Sequence, residues 1–275
     1  MSESAVETLE NNRVVITIED HIAHVQMIRD DKMNALDPDM FAGLIDAASK
    51  LENREDVRAV VLSGRGRAFC AGLDMSNFTN MAEGVAGKTK PDLAVRTHGD
   101  SNDFQQVCQA WHKLPMPVIG AAHNVCLGGG MHIFLGCDIR FAAPATRFSI
   151  MEIRWGLIPD MGSTPILPHI ARRDVISELT YTGRIFETDE AKELGFVTRI
   201  HDDPVAEALA TAKIIASKNP TAIRANKMII NRAAYLSPAE ALMLESVEQD
   251  KIIGSANQIE SVMSELEGRE ASYKG

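Results

Sequence analysis

Two glycine-bearing segments stand where backbone chemistry is possible. Ala71-Gly72-Leu73-Asp74 follows the run VVLSGRGRAFC, and Leu127-Gly128-Gly129-Gly130 follows PVIGAAHNVC. Glycine lacks a Cβ, so such loops let backbone N–H groups come close to a ligand. Should the amides of Leu73 and Gly129 converge, they would form a two-donor pocket for a developing oxyanion, and a helix opening near Gly130 would add the positive end of its dipole. A thioester carbonyl suits such a site. Taken singly, each loop reads equally as a sharp turn or a tight helix–sheet packing point.

The elements that must position these loops alternate along the chain. RVVITIE (13–19) and IAHVQMI (22–28) are β-rich runs joined by Asp20-His21, which predicts a hairpin. Asp37-Pro38 offers an N-cap followed by proline at the first helical position, and Phe41, Leu44, Ile45, Ala48 and Leu51 follow at helical spacing. VRAVVLS (57–63) and PVIGAAH (117–123) read as buried strands, with a helix from Ser101 to Leu114 between them. DIRFAA (138–143), TRFSI (146–150) and FVTRI (196–200) are further strands. From Pro204 the character turns helical, and Ser237-Pro238-Ala239-Glu240 combines a capping box with proline at the first helical position. The expectation is an α/β fold with residues 1–200 carrying the site and residues 201–275 forming a helical cap or subunit interface.

Composition narrows the classes of function. Against 28 Lys and Arg stand 38 Asp and Glu, a formal charge of −10, which opposes general attraction to nucleic acid or to an anionic membrane surface. An anionic ligand must then meet a local basic cluster. No apolar stretch reaches the ~18 residues needed to span a bilayer. Cys70, Cys108, Cys126 and Cys137 are far apart without a C-x-x-C pair, as expected of reduced buried thiols rather than of a zinc site. The N-terminus has no apolar core of a signal peptide and the Ser-Tyr-Lys-Gly ending is not a peroxisomal address, so the expected compartment is the cytoplasm.

Several segments together resemble the crotonase (enoyl-CoA hydratase/isomerase) superfamily over nearly the whole chain. They are Lys32-Met33-Asn34-Ala35-Leu36, Gly66-Arg67-Ala68-Phe69-Cys70-Ala71-Gly72-Leu73-Asp74, Asn124 to Gly130, Cys137 to Ala142 and Glu152 to Pro159. The tail from Glu260 to Tyr273 is similar to the family's closing helix and its ending, with Glu267, Arg269 and Tyr273 retained and Gly268 and Ala271 departing. The resemblance implies a spiral of ββα units with an all-helical C-terminal region, assembled as a homotrimer or a dimer of trimers. It also implies an acyl-CoA thioester as ligand, coenzyme A entering as part of the substrate, with no tightly bound cofactor and no metal. Lys32, Ala35 and Leu36, with Ala71, Gly72 and Asp74, would hold the adenine and pantetheine of coenzyme A, as would Arg269 and Tyr273 at the tail. Lys32, Arg65 and Arg67 would supply the local positive charge, unless they are ordinary solvated bases.

The same resemblance places catalytic side chains around the Leu73 and Gly129 amides. Hydratases of this family use two glutamates, one to activate water and one to protonate the α-carbon. The second matches Glu152; the position of the first is His132. Imidazole exchanges protons near neutral pH and could pair with Glu152, or His132 could line the pocket for packing alone. Asp160, eight residues beyond Glu152, resembles the acid of dienoyl-CoA isomerases, though an aspartate after Pro159 could also cap a helix beginning near Gly162. Three readings follow: hydration or isomerisation with Glu152 as principal acid and base, a double-bond shift by Glu152 and Asp160, or hydrolysis with His132 positioning water. A non-catalytic relative that uses the same shell for binding, RNA included, is disfavoured by the acidic charge and the absence of a basic–aromatic stripe. Ser163 shows no Gly-x-Ser-x-Gly elbow and no evident His–Asp partners, so a serine nucleophile ranks low. The pocket wall for the acyl chain is expected from Met75 to Asn102 and from Trp155.

Overall fold

Alternating buried and half-buried residues make Val14–Glu19 (β2) and Ile22–Met27 (β3) an antiparallel pair. Asp20 and His21 join them with φ of 48° and 66°, the left-handed pair whose twist matches a two-residue hairpin. In the computed structural model of the chain, the described residues are 5–9, 12–74 and 92–275. A strand the sequence did not announce, Ala5–Thr8 (β1), pairs antiparallel with β2 in what reads as a polar leader.

Past the hairpin, Asp37 caps Pro38–Glu52 (α1) by accepting from the Met40 amide at 2.8 Å. The chain then returns parallel to β3 as Ala59–Gly64 (β4), buried at every position. Asp103–Lys113 (α2) has a capping box between Asn102 and Gln105 and leads to Val118–Ala122 (β5), parallel to β4. Val125–Leu127 (β6) and Gly129–Leu135 (α3) follow, then Ile139–Ala142 (β7), Arg147–Ser149 (β8), Phe186–Glu187 (β9) and Arg199–Ile200 (β10). Two sheets result among the described residues: a seven-stranded one in the order β1-β2-β3-β4-β5-β7-β10, and a three-stranded one in the order β6-β8-β9.

The second sheet is where the strand TRFSI lies; the sequence gives its strand character but not its partner. Asn124, at φ 56°, turns the chain after β5 so that β6 leaves the first sheet and pairs with β8. The Asn124 side-chain amide donates to the Arg67 carbonyl at 2.7 Å and holds that corner. Arg173–Thr182 (α4) and Thr188–Glu193 (α5) flank β9.

One core gathers α1, α2 and α3 with the sheet residues Val25, Leu62 and Phe148 and the loop residue Phe69 around a fully buried Trp111. The other face of the large sheet is covered by Pro204–Ala216 (α6), whose Ala208, Ala212 and Ala216 recur every four residues on one stripe. They pack on Ile22, Ala59, Val61, Ile119, Ala121 and Phe141. The helical region therefore begins with an element that is part of the sheet's own packing. Pro220–Ala233 (α7), Pro238–Ile252 (α8) and Ala256–Glu267 (α9) complete the chain. Ser237 and Glu240 make the expected capping box, and Gly268, at φ 64°, ends α9.

Candidate active site

Two segments far apart in sequence are zipped together at the site. The Ala71 amide donates to the Met33 carbonyl at 3.0 Å, the Leu36 amide to Gly72 at 2.8 Å and the Asp74 amide to Leu36 at 3.0 Å. In that parallel pairing the Gly72 carbonyl and Asp74 amide face Leu36, so the intervening Leu73 amide points to the opposite side. On that side lies the start of α3. A Cβ placed on Gly72, whose φ is +90°, would stand 2.8 Å from the Leu127 carbonyl oxygen and 3.7 Å from the Gly129 nitrogen. Gly129 is the first residue of α3, so its amide has no acceptor within the helix. A side chain there would collide with Leu36 Cδ1 at 2.6 Å and Met161 Sδ at 2.7 Å. The Leu73 and Gly129 segments thus meet, and bare backbone is what lets them.

The titratable groups stand beside this turn. His132, one turn into α3, is fully buried. Its Nε2 is 3.0 Å from Glu152 Oε1, and its Nδ1 is 2.6 Å from the Ser163 hydroxyl oxygen. Glu152 starts the 3-10 turn Glu152–Trp155 after β8. Its Oε1 lies 3.4 Å from where a Gly128 Cβ would be, against the turn that opens α3, and its Oε2 is buried without a hydrogen-bond partner. The pairing of His132 with Glu152 matches the sequence-based expectation. The view of Ser163 needs correcting: a histidine 31 residues earlier does meet it in space, with Glu152 on the far nitrogen of that histidine. Ser163 itself is fully buried, which keeps it from meeting a substrate carbonyl as a nucleophile.

Asp160 is half-buried, and no helix begins near Gly162; the next helical element is the 3-10 turn Leu167–His169, so the capping role does not arise. Burial pushes its carboxyl up, the nearby Glu152 charge adds to this, and His132 opposes it. Asp160 also lines a cavity of about 790 Å³ between α2, residues 160–166 and α7, with Gln105, Gln109, Lys227 and Tyr235 among its walls. Gln109 fixes the intervening wall by donating to the Gly162 carbonyl at 2.6 Å.

The remaining expected residues divide. Ala35 and Leu36 are buried beneath the loop, Ala71 and Gly72 form it, and Lys32 is exposed on the turn Asp30–Lys32 at its rim. Asp74 is committed to Arg29, whose Nη1 reaches it at 2.6 Å and also donates to the Ala35 carbonyl. Arg65 pairs with Asp30, and Arg67 is exposed. Asn34 was not singled out by sequence, yet it is fully buried, with its side-chain amide donating to the Arg65 and Ala68 carbonyls. Its φ of 54° at a tight corner is the signal an asparagine can carry. Within the chain, Arg269 and Tyr273 are not brought to this site. Arg269 pairs with Glu260 and Glu267, while the Tyr273 and Gly275 carbonyls accept from Arg58. Arg58 precedes β4, whose six residues at about 3.3 Å each put it roughly 20 Å from the oxyanion end. Of the expected pocket wall, residues 75–91 lie outside the described residues, and Trp155 is exposed.

Cys70 sits under the loops, but burial pushes its thiol up to about 12, so it is no thiolate nucleophile near neutral pH. Among the described residues no group of three His, Cys, Asp or Glu could hold a metal ion, and no helix is long and apolar enough to cross a membrane.

Comparison with known proteins gives a consistent result. Residues 17–275 match the family model described as enoyl-CoA hydratase/isomerase. The chain is 30% identical to a mitochondrial Δ(3,5)-Δ(2,4)-dienoyl-CoA isomerase of Mus musculus, over 93% of this chain and 80% of that protein. It is 29% identical to a short-chain-enoyl-CoA hydratase of Clostridium acetobutylicum, over 95% of this chain and 97% of the relative. The crystal structure of an enoyl-CoA hydratase from Bacillus anthracis superposes with a TM-score of 0.81 at 25% identity, covering 100% of both chains.

Proposed function

The chain belongs to the enoyl-CoA hydratase/isomerase family, and from that premise we propose that it shifts the double bonds of a 3,5-dienoyl-CoA to the 2,4 positions, with Glu152 and Asp160 moving the protons. The observation that carries this reading is Glu152 bound to a histidine whose ring nitrogens are both engaged. His132 is held by Glu152 at one nitrogen and Ser163 at the other, which leaves it no free nitrogen to activate water for hydration or hydrolysis. Asp160 supplies the second proton-transfer group instead.

The chemistry runs as follows. The thioester oxygen accepts from the Leu73 and Gly129 amides, which makes the C2 proton acidic; one such donor contributes about 3–4 kcal/mol to the barrier reduction in enzymes that use the device. Glu152, ionised, has a free Oε2 beside the oxyanion turn and takes the C2 proton. The electron pair spreads through the conjugated chain onto the thioester oxygen. Asp160, entering as the neutral acid, returns a proton at C6, so that C2=C3 and C4=C5 replace C3=C4 and C5=C6. No atom is gained or lost. Glu152 ends protonated and Asp160 ionised, and a proton passed between them or through solvent resets the site. The raised Asp160 favours the neutral starting form that this direction needs.

Coenzyme A enters as part of the substrate, with Lys32 at the rim and Ala35, Leu36, Ala71 and Gly72 against its pantetheine. Four free, buried cysteines support a reducing, cytoplasmic setting. Assembly as a homotrimer or a dimer of trimers is supported by apolar side chains left open on the last two helices, including Leu242, Met243 and Leu266. The functional reading is tested by incubating the enzyme with 3,5-dienoyl-CoA and with 2-enoyl-CoA while following absorbance and product mass. The expected outcome is a conjugated 2,4-dienoyl thioester at unchanged mass, with little water added to 2-enoyl-CoA. Efficient hydration of 2-enoyl-CoA without dienoyl turnover would overturn it in favour of a hydratase.

A further inference from the structure

We propose that Ser163 is a positioning residue that donates to His132 Nδ1 and holds the imidazole ring so that Nε2–H donates to Glu152 and aims its free oxygen at the substrate. The inference rests on the reading of Glu152 as the base that takes the C2 proton. Three groups form an unbroken chain: Ser163 Oγ to His132 Nδ1 at 2.6 Å, and His132 Nε2 to Glu152 Oε1 at 3.0 Å. Ser163 and His132 are both fully buried, so water does not compete for either ring nitrogen.

A neutral imidazole has one donor and one acceptor, and its neighbours decide which nitrogen is which. An ionised Glu152 can only accept, so a bond at Nε2 requires the proton there. Nδ1 must then accept, and the hydroxyl of Ser163 is the donor that faces it. The opposite tautomer would set a nitrogen lone pair against a carboxylate, an arrangement that costs the bond and adds repulsion. Glu152 thus sets the tautomer, while Ser163, whose hydroxyl can donate or accept, satisfies the remaining nitrogen and anchors the ring. Alanine at 163 would leave Nδ1 buried and without a donor.

With Oε1 fixed by His132, the other oxygen of Glu152 is the one without a partner, and it is buried beside the turn that carries the Gly129 amide. The backbone around Ser163 fixes its hydroxyl. The Ser163 carbonyl accepts from the Ile166 and Leu167 amides, and Gly162, at φ 86°, is locked by the bond from Gln109. A Cβ on Gly162 would stand 2.4 Å from the Gln105 carbonyl oxygen, so the wall cannot drift toward α2.

The test compares the wild type with Ser163→Ala and Ser163→Thr, and has two arms. Nitrogen-15 NMR of the His132 ring in the free enzyme should report the Nε2–H tautomer in all three, with the Nδ1 resonance moved downfield in Ser163→Ala, where that nitrogen loses its hydrogen bond, and not in Ser163→Thr. With dienoyl-CoA, Ser163→Ala should lower kcat about tenfold at unchanged KM, because the ring that holds Glu152 has lost its anchor. Ser163→Thr should restore kcat. Ser163→Ala in a His132→Ala background should add no further loss, as expected of groups acting in series. A wild-type Nδ1–H tautomer, or an unmoved Nδ1 resonance and an unchanged kcat in Ser163→Ala, overturns the proposal. Because the NMR arm needs no turnover, failure of the isomerase reading alone would leave the tautomer result standing and appear only in the kinetic arm.

Discussion

Asp160 titrates under the influence of its surroundings, and that sets the pH range in which it can give up a proton. Burial and the neighbouring Glu152 charge both raise it, so the neutral form persists to higher pH than for a solvated aspartate. A general acid with a raised value works below that value and fails as pH rises through it. Isomerisation by the wild type should accordingly decline on the alkaline side of that titration. Asp160→Asn should lower net isomerisation by at least about 100-fold, the low end of what acid–base groups contribute. It should still exchange the C2 proton with deuterated solvent, because Glu152 remains; Glu152→Gln should lose both. Mass spectrometry of recovered substrate distinguishes the cases, and undiminished isomerisation by Asp160→Asn would remove this residue from the reaction. At this scale much was legible in the sequence: the motif around Glu152 pointed to Glu152 and Asp160, and the departure at His132 was visible. The role of Ser163 was not, because its partners come from a helix and a turn that only folding brings to it.

At the scale of elements, the turn proposed to bind the oxyanion depends on Gly72 rather than on any side-chain group. Gly72→Ala would place a Cβ 2.8 Å from the Leu127 carbonyl at a φ of +90°, so either the loop or β6 must shift. Since a displaced donor costs as much as a missing one, we expect kcat to fall by about 10²–10³ together with a drop in thermal midpoint. Gly254→Ala, also at positive φ but in open space, provides the control: it should lower stability modestly and leave kcat alone. Local chemistry made some elements readable in advance, namely the hairpin with left-handed Asp20 and His21, the Asp37 cap and the Ser237 capping box. Other elements escaped because their existence rests on distant partners. β1 is a strand through its pairing with β2, and β6 and β9 are short runs defined by β8.

Over the whole molecule, α6 packs its alanine stripe on the large sheet, whereas α8 and α9 leave Leu242, Met243 and Leu266 at 62, 65 and 78% exposure. Light scattering should therefore return three or six chain masses, and Leu242→Glu combined with Leu266→Glu should reduce that number; a monomeric wild type would exclude the assembly proposed. The tail is held separately by Arg58, which donates to the Tyr273, Gly275 and Ala216 carbonyls and anchors the C-terminus at the far end of β4. That anchoring is why Arg269 and Tyr273, which resemble ligand-binding residues by their position in the motif, stand away from this chain's own oxyanion turn. By itself the sequence determined what depends on nearest neighbours and side-chain type: the alternation of strands and helices, the glycine loops, the caps, and the family through its motifs. Tertiary structure decided the rest, because β6 joining a second sheet, the Leu73 turn meeting α3, and one histidine bridging Ser163 and Glu152 each depend on contacts between residues that the chain itself keeps far apart.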